Sequence, residues 1–300
     1  MFLGKNLTII GGSGGMGRVF ARYFKKHDFN IILYARNEEK LKQTASELNV
    51  NYKLSLKECV KDADMVMVTV PITSTVDIIK DVVPLLKPNS LIFDITSLKY
   101  DIIKEYEEVK KKYPVNCLSL HPMFGPGIKD MKNYVMLVLR VGGTANYNEI
   151  VSNLLDLFKS DGLIINETTP EIHDKRIAMT LGVPHMLNIL FLNLLRRLNE
   201  PLSELTKYTG TTFLLQKVFA ESIIQREMEM FGDIQMQNKE FYKLLDDYED
   251  LLKDYKKIIQ SKDKQGFIDI FTKALNYSKE DNHFKDSYKY FYEFMKILKK

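Results

Sequence analysis

The sequence predicts an α/β fold, a doubly wound parallel sheet followed by an all-α domain, and three observations predict it. A strand-like stretch, Asn6 to Ile10, runs straight into GGSGGMG, Gly11 to Gly17, and then an amphipathic helix through Lys26. The run from Asp64 to Pro71 is apolar on both faces, as a central parallel strand must be when helices cover both sides. Beyond Asn166 strand patterning stops and helical periodicity dominates to Lys300.

Three hundred residues at 45% hydrophobic content can bury the cores of one large or two medium domains. The 43 basic and 39 acidic residues are spread along the chain, so the formal charge of +4 is no basic patch and nucleic acid is not an expected partner. Cys59 and Cys117 fall in an expected helix and an expected strand, without the paired spacing of a zinc or redox motif, and read as small buried hydrophobes. No metal is expected. The N-terminus enters a strand directly and no apolar run reaches about 18 residues, so neither a signal segment nor a membrane partner is expected and the chain reads as cytoplasmic.

Gly12, Gly14 and Gly17 spell G-x-G-x-x-G between a strand and a helix. They permit the tight turn, close approach of backbone to a pyrophosphate and close helix packing, with Ser13, Gly15 and Met16 completing the phosphate cradle of a Rossmann-type site. The second strand, Asn30 to Tyr34, ends where the cofactor ribose should lie. Tyr34-Ala35-Arg36-Asn37 holds no carboxylate there; Arg36 can pair bidentately with a 2′-phosphate and Asn37 can donate beside it, so NADP is preferred. The other reading leaves Arg36 solvated or stacked on adenine, with NAD bound through backbone groups.

The alternation continues with a helix to Leu48, a short strand near Tyr52, a helix over Leu56 to Lys61, the strand to Pro71, a helix over Ile72 to Leu86 and a strand over Ser90 to Asp94. Right-handed crossovers bring the carboxyl ends of these strands to one edge, where ligands bind. Val70-Pro71, Asp94 to Lys99, and Leu120-His121 lie at such ends, the first as a cofactor contact. Ser97 either joins the site or caps the helix that starts near Lys99. His121 sits in SLHPMFGPG, between a buried strand and a loop stiffened by Pro122 and Pro126, and is the general-base candidate.

A hairpin-like strand over Tyr134 to Leu139, a helix over Asn148 to Lys159 and a last strand over Leu163 to Asn166 complete the dinucleotide-binding domain, residues 1–167. Pro170 in the first turn of a new helix opens the helical domain, residues 168–300. His173 and His185 are separated along one helix by about 18 Å, too far to share a metal. Pro184 should kink that helix and free the carbonyl of Thr180. Leu187 to Leu195 is too short to span a membrane and too apolar for an exposed helix, which suggests a subunit interface. From Lys239 onward apolar residues recur at helical spacing, so the tail is packed helix with a solvated charged face.

DITSLK (Asp94 to Lys99), HPMFGP (His121 to Pro126), His173-Asp174 and VPH (Val183 to His185) resemble the prephenate/arogenate dehydrogenase family of tyrosine biosynthesis, over about Asn6 to Asn238. The resemblance implies oxidative decarboxylation of prephenate to 4-hydroxyphenylpyruvate, or of arogenate to tyrosine, with hydride transfer to NAD(P)+. It implies that His121 takes the ring-hydroxyl proton, that Ser97 bridges this histidine and the nicotinamide, that His185 lines the substrate pocket, and that the helical region forms a homodimer. The active site would then lie in a cleft between the domains, and His173 reads as structural or as closing the pocket. One position departs from the pattern: Leu214 stands where many members carry an arginine that holds the substrate's ring carboxylate. Lys217, Arg176, Arg226 or helix amides near Thr211 are the alternatives for that anion. A dehydrogenase or reductase of another small carboxylate would need neither HPMFGP nor VPH, and a non-catalytic NADP sensor would lose His121.

Overall fold

The structure, a computed structural model, describes residues 4–225 and 228–298. The chain divides into two compact units, the first ending at Ile177 and the second starting at Ala178. That boundary lies one short helix beyond the expected one at residue 167, because Pro170–Ile177 is tied to the first unit by His173 and Asp174, which bond to His121 and Lys99.

In the first unit the strands β1 (Asn6–Ile10), β2 (Asn30–Tyr34), β3 (Asn51–Tyr52), β4 (Met65–Val68), β5 (Leu91–Asp94), β6 (Asn116–Pro122), β7 (Val135–Gly142) and β8 (Ile164–Glu167) form one sheet in the order β3-β2-β1-β4-β5-β6-β7-β8. All neighbours are parallel except β6 and β7, which pair antiparallel as the hairpin-like pattern predicts. Between them run α1 (Gly15–Lys26), α2 (Glu38–Leu48), α3 (Leu56–Val60), α4 (Ile72–Val82), α5 (Tyr100–Lys112), α6 (Tyr147–Ser160) and α7 (Pro170–Ile177). The order runs outward from β1 to β3, then restarts at β4 on the other side of β1, so the glycine loop after β1 opens at the switch point of the sheet.

Alternation along each strand sorts the apolar side chains onto two faces. Leu7 and Ile9, Met65 and Met67, Leu91 and Phe93, Leu118 and Leu120 join one core with Phe20, Phe24 and Phe158. Ile10, Val66, Val68, Ile92 and Cys117 join the other, with Cys59, Ile79, Val82 and Tyr106. Both faces are therefore covered, which is why these strands are apolar along most of their length, with buried polar residues such as Ser119 and His121 toward the carboxyl end of β6. Both cysteines are buried and free, as the sequence suggests. Local signals end the helices where expected: Asn37 accepts from the Lys40 amide to cap α2, and Asn49 closes it at φ 50°.

The second unit is helical: α8 (Val183–Arg197), α9 (Leu202–Thr206), α10 (Thr211–Ile224), α11 (Met228–Met236), α12 (Lys239–Gln260), α13 (Lys264–Ser278) and α14 (Ser287–Leu298). A π-helical turn, Ala178–Gly182, precedes Pro184 and absorbs the break that proline imposes on the preceding turn. Gly182 is required there: a Cβ would lie 2.6 Å from the Phe241 ring, which packs with Ala178 and Met186. The helical run Pro170–Arg197 has 28 residues and an 18-residue window of mean hydropathy 1.5, so by length and composition alone it could cross a membrane. The apolar stretch Leu187 to Leu195 lies within this run. Leu187, Leu190, Leu194 and Leu198 form an exposed stripe along it.

The close approach of α1 to the glycine loop is testable. A Cβ on Gly17 would lie 2.6 Å from the Gly11 carbonyl oxygen and 2.8 Å from Gly12 Cα, whereas one on Gly127 meets nothing within 4 Å. Gly17→Ala should lose about 1–3 kcal/mol of stability to backbone overpacking, read as a lower thermal midpoint, while Gly127→Ala leaves the midpoint unchanged.

Candidate active site

The nucleotide half of the site follows from backbone shape. Gly11 has φ +83° and lies so close to Thr69 that a Cβ would be 2.7 Å from the Thr69 carbonyl oxygen. Thr69 in turn donates from Oγ1 to the Ile10 carbonyl at 2.9 Å, locking the ends of β1 and β4 together. A Cβ on Gly12 would meet the Leu33 side chain at 2.8 Å. Gly14 is the N-cap of α1 and no side chain caps that end, so the first-turn amides of Gly15, Met16 and Gly17 are available to an anion. Ser13 is buried within the loop. These residues fit a dinucleotide's pyrophosphate.

At the other strand ends Val70 is half-buried and Pro71 exposed. Arg36 is exposed and, among the described residues, has no ion pair. Asn37 spends its side-chain oxygen on the Lys40 amide at 2.9 Å, so only its amide nitrogen is left to donate.

The HPMFGP segment folds onto this loop. A Cβ on Gly15 would lie 3.0 Å from Pro126 Cγ, so the glycine permits the proline to sit against the start of α1. Phe124 anchors the same segment, its ring 6.5 Å from Phe20 of α1 and 5.4 Å from Tyr134. The two motifs that stand out in the sequence therefore meet.

Behind them lies a buried polar cluster. Alternation in β6 places Leu118 and Leu120 in one core and directs Ser119 and His121 to the opposite face, beside the end of β5, where Asp94 pairs in register with Ser119. Lys99 has no exposed surface; its Nζ donates to Asp94 Oδ2 at 2.7 Å and to the Leu120 carbonyl at 2.7 Å. Thr96 also donates to Asp94 from its hydroxyl and from its amide. Burial pulls the Lys99 amine down and the Asp94 carboxylate opposes that pull.

His121 Nδ1 lies 2.9 Å from His173 Nε2, and His173 Nδ1 lies 2.7 Å from Asp174 Oδ1. Asp174 accepts the Lys99 amide at 2.9 Å and the Tyr100 amide at 3.1 Å, and so caps α5 from outside. Ser97 does not cap that helix; it is half-buried, and no hydrogen bond of its hydroxyl is found among the described residues. His121 is 4% exposed, and no hydrogen bond to its Nε2 is found among the described residues. Burial first, then His173 and the Lys99 charge, push the His121 imidazolium well below the ordinary histidine range. Burial also lowers His173, with Asp174 opposing.

The remaining sequence candidates belong to the second unit, apart from Arg176, which is in α7. His185 packs its ring 4.3 Å from Phe231. Lys217 pairs with Glu221 at 3.9 Å along α10, the helix that also carries Leu214. Arg226 lies outside the described residues. The contact of His173 with His121 spans 52 residues, and its one local signal is a histidine followed by a carboxylate.

Comparison with known proteins supplies the lineage. Residues 20–136 match the prephenate dehydrogenase nucleotide-binding domain and residues 169–273 match the prephenate dehydrogenase dimerization domain. The probable arogenate/prephenate dehydrogenase of Methanocaldococcus jannaschii is 31% identical over 268 residues, covering 89% of this chain and 60% of that protein. The T-protein of Haemophilus influenzae is 27% identical over 270 residues, covering 89% of this chain and 66% of that protein. The chain thus spans less than two thirds of the length of both relatives. A crystal structure of prephenate dehydrogenase from A. aeolicus, in complex with hydroxyphenyl propionate and NAD+, has the same fold: TM-score 0.74 at 19% identity, over 92% of this chain and 98% of that one. With both domains matched in the same order along the sequence, the chain belongs to the prephenate dehydrogenase family.

Proposed function

We propose that the protein carries out the oxidative decarboxylation of prephenate, or of its amino form arogenate, in tyrosine biosynthesis, with NADP+ preferred over NAD+. The observation that carries this reading is His121: a buried imidazole held at Nδ1, with no hydrogen bond to Nε2 among the described residues, at the end of a strand whose following loop packs against the glycine cradle.

When bound, the nicotinamide supplies the hydride acceptor. The chain's own residues orient the substrate and handle the proton. His121 Nε2 accepts the proton of the ring hydroxyl as hydride leaves the same carbon. The ring carboxylate departs as carbon dioxide, its electron pair enters the ring, and the oxygen takes the proton back as the ring becomes aromatic. Ser97, at the mouth of the same strand edge, is assigned to bridge the hydroxyl and the nicotinamide. His185 and Lys217 are the second unit's candidates for binding the substrate. The exposed leucine stripe of α8 and the match to a dimerization domain support a homodimer, which we place in the cytoplasm.

Prephenate and arogenate assayed side by side, each with NADP+ and NAD+, test the substrate directly by growth of reduced-nicotinamide absorbance; no turnover of either would refute the reading. His121→Asn should lower kcat by roughly 100- to 10,000-fold while cofactor affinity, measured by calorimetry, stays the same. Undiminished turnover would remove the base.

Arg36→Ala should raise the KM for NADP+ far more than that for NAD+, since the guanidinium has only the 2′-phosphate to distinguish them. Equal effects would refute the phosphate contact.

The pH profile has a definite sign. The base works as neutral imidazole and its ionisation is depressed below 6.5, so kcat/KM should rise with pH through that lowered ionisation and be level with respect to His121 above 6.5. A rising limb centred above 6.5 would contradict a buried neutral base.

A further inference from the structure

We infer that Asp174 and His173 are positioning residues that fix the tautomer of His121, forcing its proton onto Nδ1 so that Nε2 is the basic nitrogen, and that they stabilise the charge His121 acquires. The inference deepens the proposed reaction and rests on His121 being its base.

The argument is a count of hydrogens. Asp174 accepts backbone amides of Lys99 and Tyr100 at 2.9 and 3.1 Å, so as a carboxylate it is an acceptor, and the hydrogen in its 2.7 Å contact with His173 comes from His173 Nδ1. A neutral imidazole has one N–H. His173 Nε2 therefore presents only a lone pair to His121 Nδ1 at 2.9 Å, and His121 must donate there. With its single hydrogen spent, His121 carries its lone pair at Nε2. An isolated imidazole exchanges its proton between both nitrogens; here one tautomer alone satisfies the chain of bonds.

A charged His173 opposes charge on His121, but a neutral His173 that accepts at Nε2 supports it after proton uptake. Gaining a proton at Nε2 makes His121 an imidazolium whose Nδ1–H already points at His173 Nε2, and His173 Nδ1–H already points at the Asp174 carboxylate. The bond between substrate oxygen and hydrogen breaks and a bond from His121 Nε2 to hydrogen forms, with no further reactant needed. Asp94 favours charge on His173 through space, and Glu167 and Arg176 line the cavity beside it. Lys99 Nζ is a cation that disfavours charge on His121, and it is committed to Asp94 and the Leu120 carbonyl. Asp174 is the carboxylate hydrogen-bonded to His173, and through it linked to His121.

A purely structural role is separable, because it would move neither the tautomer nor the pH limb. Asp174→Asn removes the charge and keeps one acceptor oxygen, which can serve the Lys99 amide and His173 while the Tyr100 bond is lost. Protein labelled with 15N-histidine has five imidazoles to resolve, and His121→Asn assigns the one of interest. In substrate-free wild type above pH 7, the 15N shifts should report His121 protonated at Nδ1. In His173→Leu the Nε2-protonated form should appear and kcat should fall roughly 10- to 1,000-fold, with cofactor affinity unchanged; His173→Gln, which offers an acceptor oxygen, should restore part of both. Asp174→Asn should fold with a somewhat lower thermal midpoint, lower kcat and move the rising limb of the pH profile to lower pH, since loss of the carboxylate removes support for the cation. Nε2 protonation in the wild type, or an unchanged tautomer in His173→Leu, overturns the inference. If neither substrate turns over, the substrate reading fails, and the shifts measured without substrate still decide the tautomer. If His173→Leu does not fold, an unmoved pH limb in Asp174→Asn overturns it instead.

Discussion

Lys99 is the residue on which the geometry of this site turns, because an ammonium with no exposed surface can exist only where its surroundings replace water completely. They do so from two strands: Asp94 at the end of β5 and the Leu120 carbonyl in β6. The amine thus bolts the carboxyl end of one strand to the residue that precedes His121 in the next. Thr96 adds its hydroxyl and amide to the same carboxylate, which makes DITSLK a self-contained polar knot inside a dry fold. Tyr106 feels this charge from α5; burial and then the carboxylate raise its phenol well above the ordinary range. Without Lys99, both Asp94 and the Leu120 carbonyl would be left buried without their charged partner.

Around that knot the first unit couples two loops that lie more than a hundred positions apart. The glycine loop needs its missing side chains for three contacts of its own, at Thr69, Leu33 and α1, and Gly15 needs its for Pro126. Proline gives the histidine loop stiffness and Phe124 gives it an anchor on α1, the helix whose N-terminus faces the anion. Close backbone packing therefore fixes how the two loops lie relative to each other.

The second unit obeys different rules. Its small core at Ala178, Met186 and Phe241 is built on one close approach at Gly182, and the π-helical turn before Pro184 shows how the helix accommodates a residue with no amide hydrogen. Its leucines at 187, 190, 194 and 198 recur at helical spacing yet stay exposed, unlike the apolar residues of the first unit, which the sheet divides cleanly between two cores.

What the sequence by itself determined were the features that neighbours along the chain decide. Strand alternation, the glycine loop and the arrival of His121 at the carboxyl end of a buried strand all follow from period and local sterics. What only the tertiary structure decided are the pairings: His121 with His173, Asp174 as the cap of α5, Pro126 on Gly15, and hence α7 as part of the first unit. A hydrogen bond across 52 residues leaves no periodic trace in a sequence. Which buried donor meets which buried acceptor is set by how the sheet, α5 and α7 pack, and by the cost of leaving either one unpaired.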